Sequence, residues 1–353
     1  MIYLDNAATG IKREEILQYI IDNKEAFDGN PDSTHAMGRR AKKILEESRE
    51  KIAESIGADS KNVIFTAGAT ESNNSVINAF KDKQIITTAI EHDSILNTID
   101  KSKATILEAS KDGIISLEDL ENKLTDDIKL VSIMYVNNET GAIQPIKEIG
   151  EYLVDKDIHF HVDAVQAYGH IDIDVDEIKC DSLSLSGHKI GGLNGFGILY
   201  LRNNIKPFIT GGEQEKDRRA GTSFVAGAYS MAASFPKMMS ERSYIRELKD
   251  HFISKLSKTN LNYEVNGSMD NSSDHVLNIY FIDYKAEFLL TYLDMNGICA
   301  SAGSACRAGS VLPSHVITNM YDEDRARNSI RFSFGYQNTM DDIDKTIEIL
   351  ERL

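Results

Sequence analysis

The sequence predicts an α/β fold: a large, mainly parallel β-sheet with helices on both faces, together with a smaller α+β domain. Strand-like and helical segments alternate from about residue 60 to about residue 210, which is typical of parallel strands joined by helical crossovers. Polar motifs follow five of these strand-like segments. After about residue 250 this alternation ends, which indicates a second, smaller unit.

Each element has a local signal. A helix is predicted over 40–56, because Ala41, Ile44 and Leu45 recur near helical spacing and Gly57 ends the run. Ser116, three residues before Asp119, predicts the N-cap of another helix. Strands are predicted over 62–65, 84–88, 129–135, 158–162, 181–185 and 196–201. In the smaller unit we expect strands over 275–282 and 330–334, and helices over 286–296 and 340–353.

The domain boundaries carry no compositional mark, since the chain has only five prolines and no low-complexity linker. We expect the large domain to span residues 12–251. The smaller domain is expected to combine residues 1–11 with residues 252–353.

The polar motifs are predicted to share one site, because ligands of open α/β sheets bind outside the carboxyl ends of the strands. Five motifs follow predicted strands in chain order: 68–74 (GATESNN), 91–94 (EHDS), 137–141 (NNETG), 163–166 (DAVQ) and 186–189 (SGHK).

Composition excludes several classes of protein. With 55 acidic and 39 basic residues the formal net charge is −16, which argues against binding a nucleic-acid backbone. No apolar run approaches the ~18 residues that span a bilayer, and the first residues lack the pattern of a secretion signal. Cys180, Cys299 and Cys306 show no paired spacing that would indicate disulfides or a zinc site. We therefore expect a cytoplasmic protein with free thiols and no metal, nucleic-acid or membrane partner.

Lys189 is the first candidate for chemistry. Just past a strand, its amine can form a Schiff base with pyridoxal phosphate if it loses its proton near neutral pH. A lone lysine in such a place is usually exposed to solvent. The neighbouring Ser184, Ser186 and His188, with Asp163 at a preceding strand end, favour the catalytic interpretation.

Asp163 ends an apolar strand, where burial of an unpaired carboxylate costs free energy. The pyridinium nitrogen of the cofactor is a suitable cation, and keeping it protonated preserves the ring as an electron sink. Without the lysine motif, a helix N-cap would be the better interpretation of this aspartate.

A phosphate site is indicated at Gly68-Ala69-Thr70, which passes from a strand to a helix. Backbone N–H groups at the helix start and the threonine hydroxyl can hold a dianion, although the same sequence is also common as helix-cap chemistry. Ser186, His188 and Thr222 can add donors to the same phosphate.

Four further side chains suit the cofactor or its substrate. His92 can stack over the ring and carry a proton, although a histidine after a strand is more often structural. Gln166 and Asn138 are neutral hydrogen-bonding groups suited to the cofactor's phenolic oxygen and a substrate carboxylate. The planar fork of Arg331 can bind a carboxylate; the alternative is a solvent-facing arginine on an edge strand.

Cys306 lies among small residues with few bulky anchors, which predicts a mobile loop. The thiolate is the reactive form of cysteine, and the neighbouring Arg307 favours it. The alternative is a small buried apolar residue, which is our interpretation of Cys180 and Cys299. Together, Lys189 and Cys306 indicate two-centre chemistry, in which the cofactor activates a substrate and the thiol takes a group from it.

With these residues in place, the chain resembles the cysteine desulfurases of the NifS/IscS type, which are class V aminotransferases of the fold-type I pyridoxal-phosphate enzymes. The resemblance covers almost the whole chain and rests on a series of motifs in order: 3–9 (YLDNAAT), 30–35 (NPDSTH), 68–74, 137–141, 161–166 (HVDAVQ), 186–189, 219–222 (RAGT) and 303–306 (GSAC).

The resemblance implies a homodimer with fold-type I architecture, and it assigns a role to each candidate residue. Lys189 carries pyridoxal phosphate and Asp163 pairs with its ring nitrogen. His92 is expected to stack on the ring and transfer protons, and Gln166 to contact the phenolic oxygen. The phosphate is expected to be bound by Ala69, Thr70, Ser186 and His188 of the same subunit and by Thr222 of the partner subunit. Asn138 and Arg331 are expected to bind the substrate carboxylate.

The resemblance further implies that Cys306 attacks the sulfur of L-cysteine, leaving L-alanine and an enzyme persulfide. The loop over residues 302–313 resembles the long active-site loops that pass sulfur to an acceptor protein. Expected acceptors are an iron–sulfur scaffold or an enzyme that thiolates tRNA or cofactors.

The chain departs from the family pattern at Arg307, at Leu193-Asn194, at Glu213 and at Tyr336. None of these changes removes a catalytic group. Three alternatives stay open at this point: a selenocysteine lyase with the same groups, an aminotransferase with no use for Cys306, and an inactive platform that binds an acceptor scaffold.

Overall fold

The computed structural model describes residues 1–303 and 313–353. Within these residues the strands are β1 (Ile2–Tyr3), β2 (Val63–Thr66), β3 (Gln84–Thr88), β4 (Ala104–Leu107), β5 (Ile128–Met134), β6 (His159–Asp163), β7 (Ser182–Ser186), β8 (Gly197–Leu201), β9 (Tyr263–Val265), β10 (Val276–Phe281), β11 (Ile298–Cys299) and β12 (Ser329–Ser333).

The helices of the same residues are α1 (Glu14–Asp22), α2 (Lys24–Phe27), α3 (Ala36–Glu54), α4 (Ala69–Ala79), α5 (Asp93–Leu96), α6 (Leu117–Lys123), α7 (Ile146–Leu153), α8 (Gln214–Asp217), α9 (Val225–Leu256), α10 (Ala286–Met295), α11 (His315–Met320), α12 (Glu323–Ala326) and α13 (Met340–Leu350). Short 3₁₀ turns are found at Ser60–Asn62, Lys101–Lys103 and Gly187–Ile190.

The large sheet has the strand order β2-β8-β7-β6-β5-β3-β4. β8 runs antiparallel to both of its neighbours, and the remaining strand pairs are parallel. Consequently β2, β3, β5, β6 and β7 all point in one direction, and the polar motifs that follow them meet at one edge of the sheet. The predicted large, mainly parallel sheet is confirmed.

Both faces of this sheet are covered. On β8, Ile198 and Tyr200 belong to the main hydrophobic core, whereas Leu199 and Leu201 belong to a second core. Because successive side chains of a strand point to opposite faces, the two cores lie on opposite sides of the sheet. The main core includes residues of α3 and α9, and the second core includes residues of α4, as the prediction of helices on both faces requires.

The later part of the chain forms a three-stranded antiparallel sheet in the order β12-β10-β9. Apolar residues of α10 and α13 join the main core beside it. β1 pairs in parallel with β11, and Asp5 bridges to Ser333 at the end of β12, so the N-terminal segment lies against the C-terminal part of the chain. The expected division into residues 12–251 and the remainder stays a prediction.

The six strands predicted for the large sheet are found within one residue at each end. The sequence did not predict β4, a four-residue, partly exposed strand at the sheet edge. Helix α3 begins at Ala36 rather than at residue 40, because the His35 imidazole accepts a hydrogen bond from Gly38 N and caps the helix. Histidine is not among the preferred N-cap residues, which explains the missed start. Ser116 caps α6 as predicted.

Segment α8 is not a regular right-handed α-helix, since Glu215, Lys216 and Asp217 adopt left-handed backbone conformations with φ values of 49°, 57° and 64°. For residues other than glycine this conformation costs about 1–2 kcal/mol each. A buried ion pair offsets the cost: Arg49 Nη1 and Nη2 donate to the two carboxylate oxygens of Glu215 at 2.6 and 2.9 Å. Phe65 N donates to the same carboxylate at 3.1 Å.

Among the described residues, no helix has both the length and the apolar character needed to cross a membrane.

Candidate active site

A cavity of about 500 Å³ lies at the edge of the large sheet where the polar motifs meet. Ten side chains predicted from the sequence line it: Ala69, Thr70, His92, Asn138, Asp163, Gln166, Ser186, His188, Lys189 and Arg331. The predicted clustering of the strand-end motifs into one site therefore matches the structure.

Lys189 lies in the 3₁₀ turn that follows β7. Its Nζ donates to the carbonyl oxygens of Ala7 and Ala8, both at 2.7 Å. The N-terminal segment can pass this close because residue 10 is glycine: a Cβ there would lie 2.7 Å from the Lys189 carbonyl oxygen. The segment thus forms one wall of the cavity and holds the amine in place.

Asp163 ends β6 and is almost fully buried. Its Oδ2 accepts a hydrogen bond from Asn73 Nδ2 at 2.7 Å, and its Oδ1 accepts one from Val165 N at 3.0 Å. Two N–H donors stabilise a buried carboxylate. The bond to Val165 is turn chemistry of the kind considered as the alternative for this residue, yet the side chain also faces the cavity.

His92 precedes the short helix α5, and its Nδ1 lies 2.9 Å from Ser94 Oγ and 3.1 Å from Ser94 N. Because a backbone N–H can only donate, Nδ1 is an acceptor. The other ring nitrogen, Nε2, therefore carries the proton of the neutral imidazole. The ring also lines the cavity, and its predicted stacking role stays a prediction.

The start of α4 and the turn after β7 form the polar end of the cavity. Gly68 has φ 145°, and a Cβ built on it would meet no atom within 4 Å, so the backbone at the helix start is open to a ligand. Ser186 Oγ lies 3.2 Å from His188 Nδ1. Burial, with the nearby Lys189 and Lys12, lowers the pKa of His188 to about 3, so this ring stays neutral at physiological pH.

A carboxylate also lines this polar end. Glu71, in the first turn of α4, accepts a hydrogen bond from Ala67 N at 2.8 Å. Arg219 binds both of its oxygens, with Nε at 2.8 Å and Nη2 at 3.1 Å. The bidentate pair neutralises a charge that would otherwise repel an anion in the cavity.

Gln166 and His275 contact each other behind the cavity. Gln166 Nε2 donates to Ala7 O at 2.9 Å, and its Oε1 lies 2.9 Å from His275 Nε2. The His275 ring stacks on His170 with their centroids 3.5 Å apart. Burial lowers the pKa of both histidines. A neutral His275 therefore donates to Gln166 and fixes the orientation of its amide.

Arg331 lies on β12 and is 1% exposed, which rules out the solvent-facing alternative. Its Nη1 donates to Asn138 O and its Nη2 to Asp5 Oδ1, both at 2.8 Å. Its Nε is buried without a hydrogen-bond partner among the described residues. A buried guanidinium with an unused donor, in the wall of a cavity, is suited to bind an anionic group.

One described residue of the predicted set, Thr222, does not line this cavity. It is exposed to solvent. Cys306 lies outside the described residues, as do Arg307 and most of the predicted loop over 302–313. On one side of that gap, Ser301 pairs with Arg331 through two backbone hydrogen bonds. On the other, the Ser314 hydroxyl donates to the buried Glu139 carboxylate.

The other two cysteines differ in environment. Cys180 is fully buried, and burial raises the pKa of its thiol, which agrees with the prediction of an inert apolar residue. Cys299 on β11 is only partly buried, contrary to the prediction of a buried residue. Partial burial still raises the pKa of its thiol, so neither cysteine has the environment of an activated nucleophile.

The family model described as aminotransferase class-V matches residues 2–346 of the chain. The chain belongs to the class V aminotransferases. Enzymes of this family depend on pyridoxal phosphate. The predicted family, fold class and type of enzyme are thereby confirmed.

The descriptions of individual relatives agree with the predicted type of enzyme and fold. A protein described as cysteine desulfurase IscS from Dictyoglomus turgidum is 40% identical, and the match covers 100% of this chain and 94% of that protein. The structure of a NifS-like protein from Rickettsia africae is 33% identical with a TM-score of 0.90, covering 100% of this chain and 99% of its own. A structure described as SspA in complex with cysteine is 32% identical with a TM-score of 0.83, covering 95% and 99%.

Several contributors to the site were not assigned a role from the sequence. Asn73, Ala7 and Ala8 lie inside motifs that the sequence analysis identified. Their hydrogen bonds to Asp163 and Lys189 could not be predicted from those motifs. Glu91 is fully buried beside His92, with Oε1 accepting hydrogen bonds from Thr88 Oγ1 and Met134 N, both at 2.8 Å. Its position next to a candidate catalytic residue was the only signal in the sequence.

The environment of Glu91 predicts a pH dependence of stability. Burial, assisted by the nearby Asp163 carboxylate, raises the pKa of Glu91 from 4.5 to about 8. Between these values the unfolded chain releases this proton and the folded protein keeps it, so the free energy of unfolding falls as the pH rises. We expect Glu91→Gln to reduce that slope in urea denaturation at a series of pH values. The exposed Glu118→Gln serves as the control; an unchanged slope for Glu91→Gln would contradict the assignment.

The pair of Glu71 and Arg219 predicts opposite effects of two neutralising substitutions on binding of a phosphate-bearing ligand. Arg219→Gln leaves the Glu71 carboxylate facing the dianion and should lower the affinity for pyridoxal phosphate about 10-fold. Glu71→Gln keeps the acceptor for Ala67 N and should not weaken binding. Titration of the cofactor-free protein, followed by its intrinsic fluorescence, measures both. Equal losses in the two variants would indicate a purely structural pair.

Proposed function

We propose that the chain is a pyridoxal-phosphate-dependent cysteine desulfurase, which converts L-cysteine to L-alanine and retains the sulfur as a persulfide on Cys306. The observation that carries this proposal is the convergence, in one cavity, of an amine, a buried carboxylate and a buried guanidinium with an unused donor: Lys189, Asp163 and Arg331.

The residues of the cavity fit the cofactor. The open backbone at Gly68, the hydroxyl of Ser186 and the neutral imidazole of His188 are suited to hold the phosphate, together with Ala69 and Thr70. The Asp163 carboxylate suits the protonated ring nitrogen, and Gln166 suits the phenolic oxygen. When bound, pyridoxal phosphate supplies an electron sink that weakens bonds at the substrate's α-carbon.

The protein's own groups would position the substrate and move its protons. Arg331, with its unused Nε donor, and Asn138 would bind the carboxylate of L-cysteine. Lys189 would carry the cofactor. His92, whose Nε2 bears the proton of the neutral ring, would stack over the cofactor and exchange protons with the bound groups.

The overall reaction balances with Cys306 as the acceptor. The thiolate of Cys306 forms a bond with the substrate sulfur, and the carbon–sulfur bond of the substrate breaks. The carbon takes up a proton, so L-cysteine and the Cys306 thiol yield L-alanine and the Cys306 persulfide. No further oxidant or reductant is needed. The assignment of Cys306 rests on the family motif, because this residue lies outside the described part of the chain.

The proposal extends to the setting of the enzyme. We infer a cytoplasmic homodimer in which Thr222 reaches the phosphate site of the partner subunit, since this residue is exposed and does not line the cavity of its own chain. The small domain, residues 1–11 and 252–353, would carry the Cys306 loop. The persulfide would pass to a protein that builds iron–sulfur clusters or thiolates tRNA or cofactors.

The proposed activity is tested by incubating the protein with L-cysteine and, separately, with L-selenocysteine, and measuring the release of L-alanine. Release from cysteine supports the proposal. Release from selenocysteine alone would show a selenocysteine lyase. A protein that stays colourless with pyridoxal phosphate and releases no alanine would be the binding platform considered above.

Lys189→Ala is expected to abolish the covalently bound, yellow form of the cofactor, because it removes the amine that forms the Schiff base. The visible absorbance of protein passed through a desalting column measures this loss. Lys12→Ala, a neighbouring lysine whose Nζ donates to Gly10 O, is the control and should keep the absorbance. Unchanged absorbance in Lys189→Ala would refute the assignment.

Cys306→Ala is expected to retain the absorbance of the cofactor but to stop formation of the protein persulfide, because it removes the acceptor of the sulfur. Alkylation of the protein followed by mass spectrometry detects the persulfide, and Cys299→Ala provides the matched control. Release of sulfide from cysteine at the parent rate by Cys306→Ala would show that another group is the nucleophile.

A further inference from the structure

A continuous chain of side-chain hydrogen bonds runs along β6 to the carboxylate of Asp163. His159, His161 and Asp163 alternate along the strand and so share one face. Ser182 Oγ on β7 lies 2.7 Å from His159 Nε2 and 2.8 Å from His161 Nδ1. His161 Nε2 lies 3.0 Å from Asn73 Oδ1, and Asn73 Nδ2 lies 2.7 Å from Asp163 Oδ2.

The direction of every bond in this chain follows from its last member. An ionised carboxylate only accepts, so the amide nitrogen of Asn73 faces Asp163 and its oxygen faces His161. That oxygen also only accepts, so His161 carries its proton on Nε2. The bare Nδ1 of His161 then accepts from the Ser182 hydroxyl, whose oxygen accepts from His159 Nε2. All four donors are therefore directed toward Asp163.

Burial keeps these roles fixed. Asn73, His161 and Ser182 are each no more than 1% exposed, and only His159 at the outer end is partly exposed. Burial lowers the pKa of His161 to about 3, so the ring is neutral at physiological pH and keeps one donor and one acceptor. In a buried chain of this kind each bond polarises the next, which strengthens the final bond to the carboxylate.

The chain branches at Asn73 toward the second side of the cavity. Asn73 Nδ2 also donates to Ser94 Oγ at 2.8 Å, and Ser94 Oγ lies 2.9 Å from His92 Nδ1. Since the Asn73 amide donates to it, the Ser94 hydroxyl is free to donate to His92. One amide group thus contacts the acid Asp163 directly and fixes the ring of His92 through a single serine.

We propose that Asn73 is a positioning residue that orients Asp163 and His92 together, and that the directed chain from His159 through Ser182 and His161 sets the orientation of its amide. This inference rests on the proposed function, since it assigns the two groups held by Asn73 to opposite parts of the cofactor site. Asn73 acts through its two partners and requires no contact of its own with the substrate.

The first test determines the direction of the hydrogen-bond chain and needs neither the cofactor nor enzyme activity. In the parent protein labelled with ¹⁵N in its histidines, the ring signals of His161 identify which nitrogen carries the proton. The chain requires the neutral tautomer protonated on Nε2. His161→Gln, which lacks those signals, assigns them. A tautomer protonated on Nδ1, or a doubly protonated ring at neutral pH, would overturn the proposal even if every other variant failed to fold.

The second test compares substitutions that keep or remove a donor to Asn73. His161→Gln can still donate to Asn73 Oδ1, whereas His161→Leu cannot, and Asn73→Leu removes both bonds of the amide. We expect Asn73→Leu to lower the affinity for pyridoxal phosphate about 10-fold or more, because it loses a hydrogen bond to a charged group. We expect His161→Leu to lower it about 5-fold, the effect of losing a hydrogen bond between neutral groups. His161→Gln should stay within about 3-fold of the parent.

Ser132→Ala is the matched control, because this fully buried serine lies opposite His161 on β5 and its hydroxyl has no partner among the described residues. Thermal unfolding of every variant separates lost stability from lost affinity. Leucine variants that bind the cofactor as tightly as Ser132→Ala would overturn the proposal. Failure of the parent to bind pyridoxal phosphate would instead refute the proposed function, while the histidine tautomer would still decide the direction of the chain.

Discussion

The buried carboxylate of Asp163 is the constraint on which the site depends. It ends a central strand of the large sheet, where water cannot solvate it, so the protein must supply its donors. Val165 and Asn73 provide them, and the need to orient Asn73 extends the requirement to His161 and beyond. A ligand that brings a positive charge to this acid, as a protonated pyridine ring does, is favoured at this site over a neutral group.

A second buried acid lies close by, and its environment is opposite. Glu91 accepts one backbone and one hydroxyl hydrogen bond through Oε1, and its Oε2 has no partner among the described residues. Burial raises its pKa to about 8, so it is largely protonated at neutral pH. Glu91 therefore adds no full negative charge beside Asp163, because a buried site does not stabilise the like charges of two adjacent carboxylates.

Much of this arrangement was predictable from the sequence, because it depends on local patterns. The alternation of strand-like and helical segments indicated the strands, and the rule that ligands bind at the carboxyl ends of parallel strands predicted that their polar motifs share one site. What sequence could not predict came from contacts between distant residues. The passage of Gly10 over Lys189, the burial of Arg331 between Asn138 and Asp5, and the hydrogen bonds of Asn73 each join parts of the chain with no common pattern.

The strained segment at Glu215 precedes Thr222, a predicted phosphate-binding residue that does not line the cavity of its own subunit. Its left-handed backbone is held by Arg49 in the core, and Arg219 just after it is held by Glu71 at the cavity rim. Thr222 follows within three residues, yet it is exposed and outside the cavity. Backbone strain persists only where the surroundings fix it firmly, and here Arg49 and Glu71 fix the residues on either side. The exposed hydroxyl of Thr222 is suited to contact a second copy of the chain, as the proposed homodimer requires.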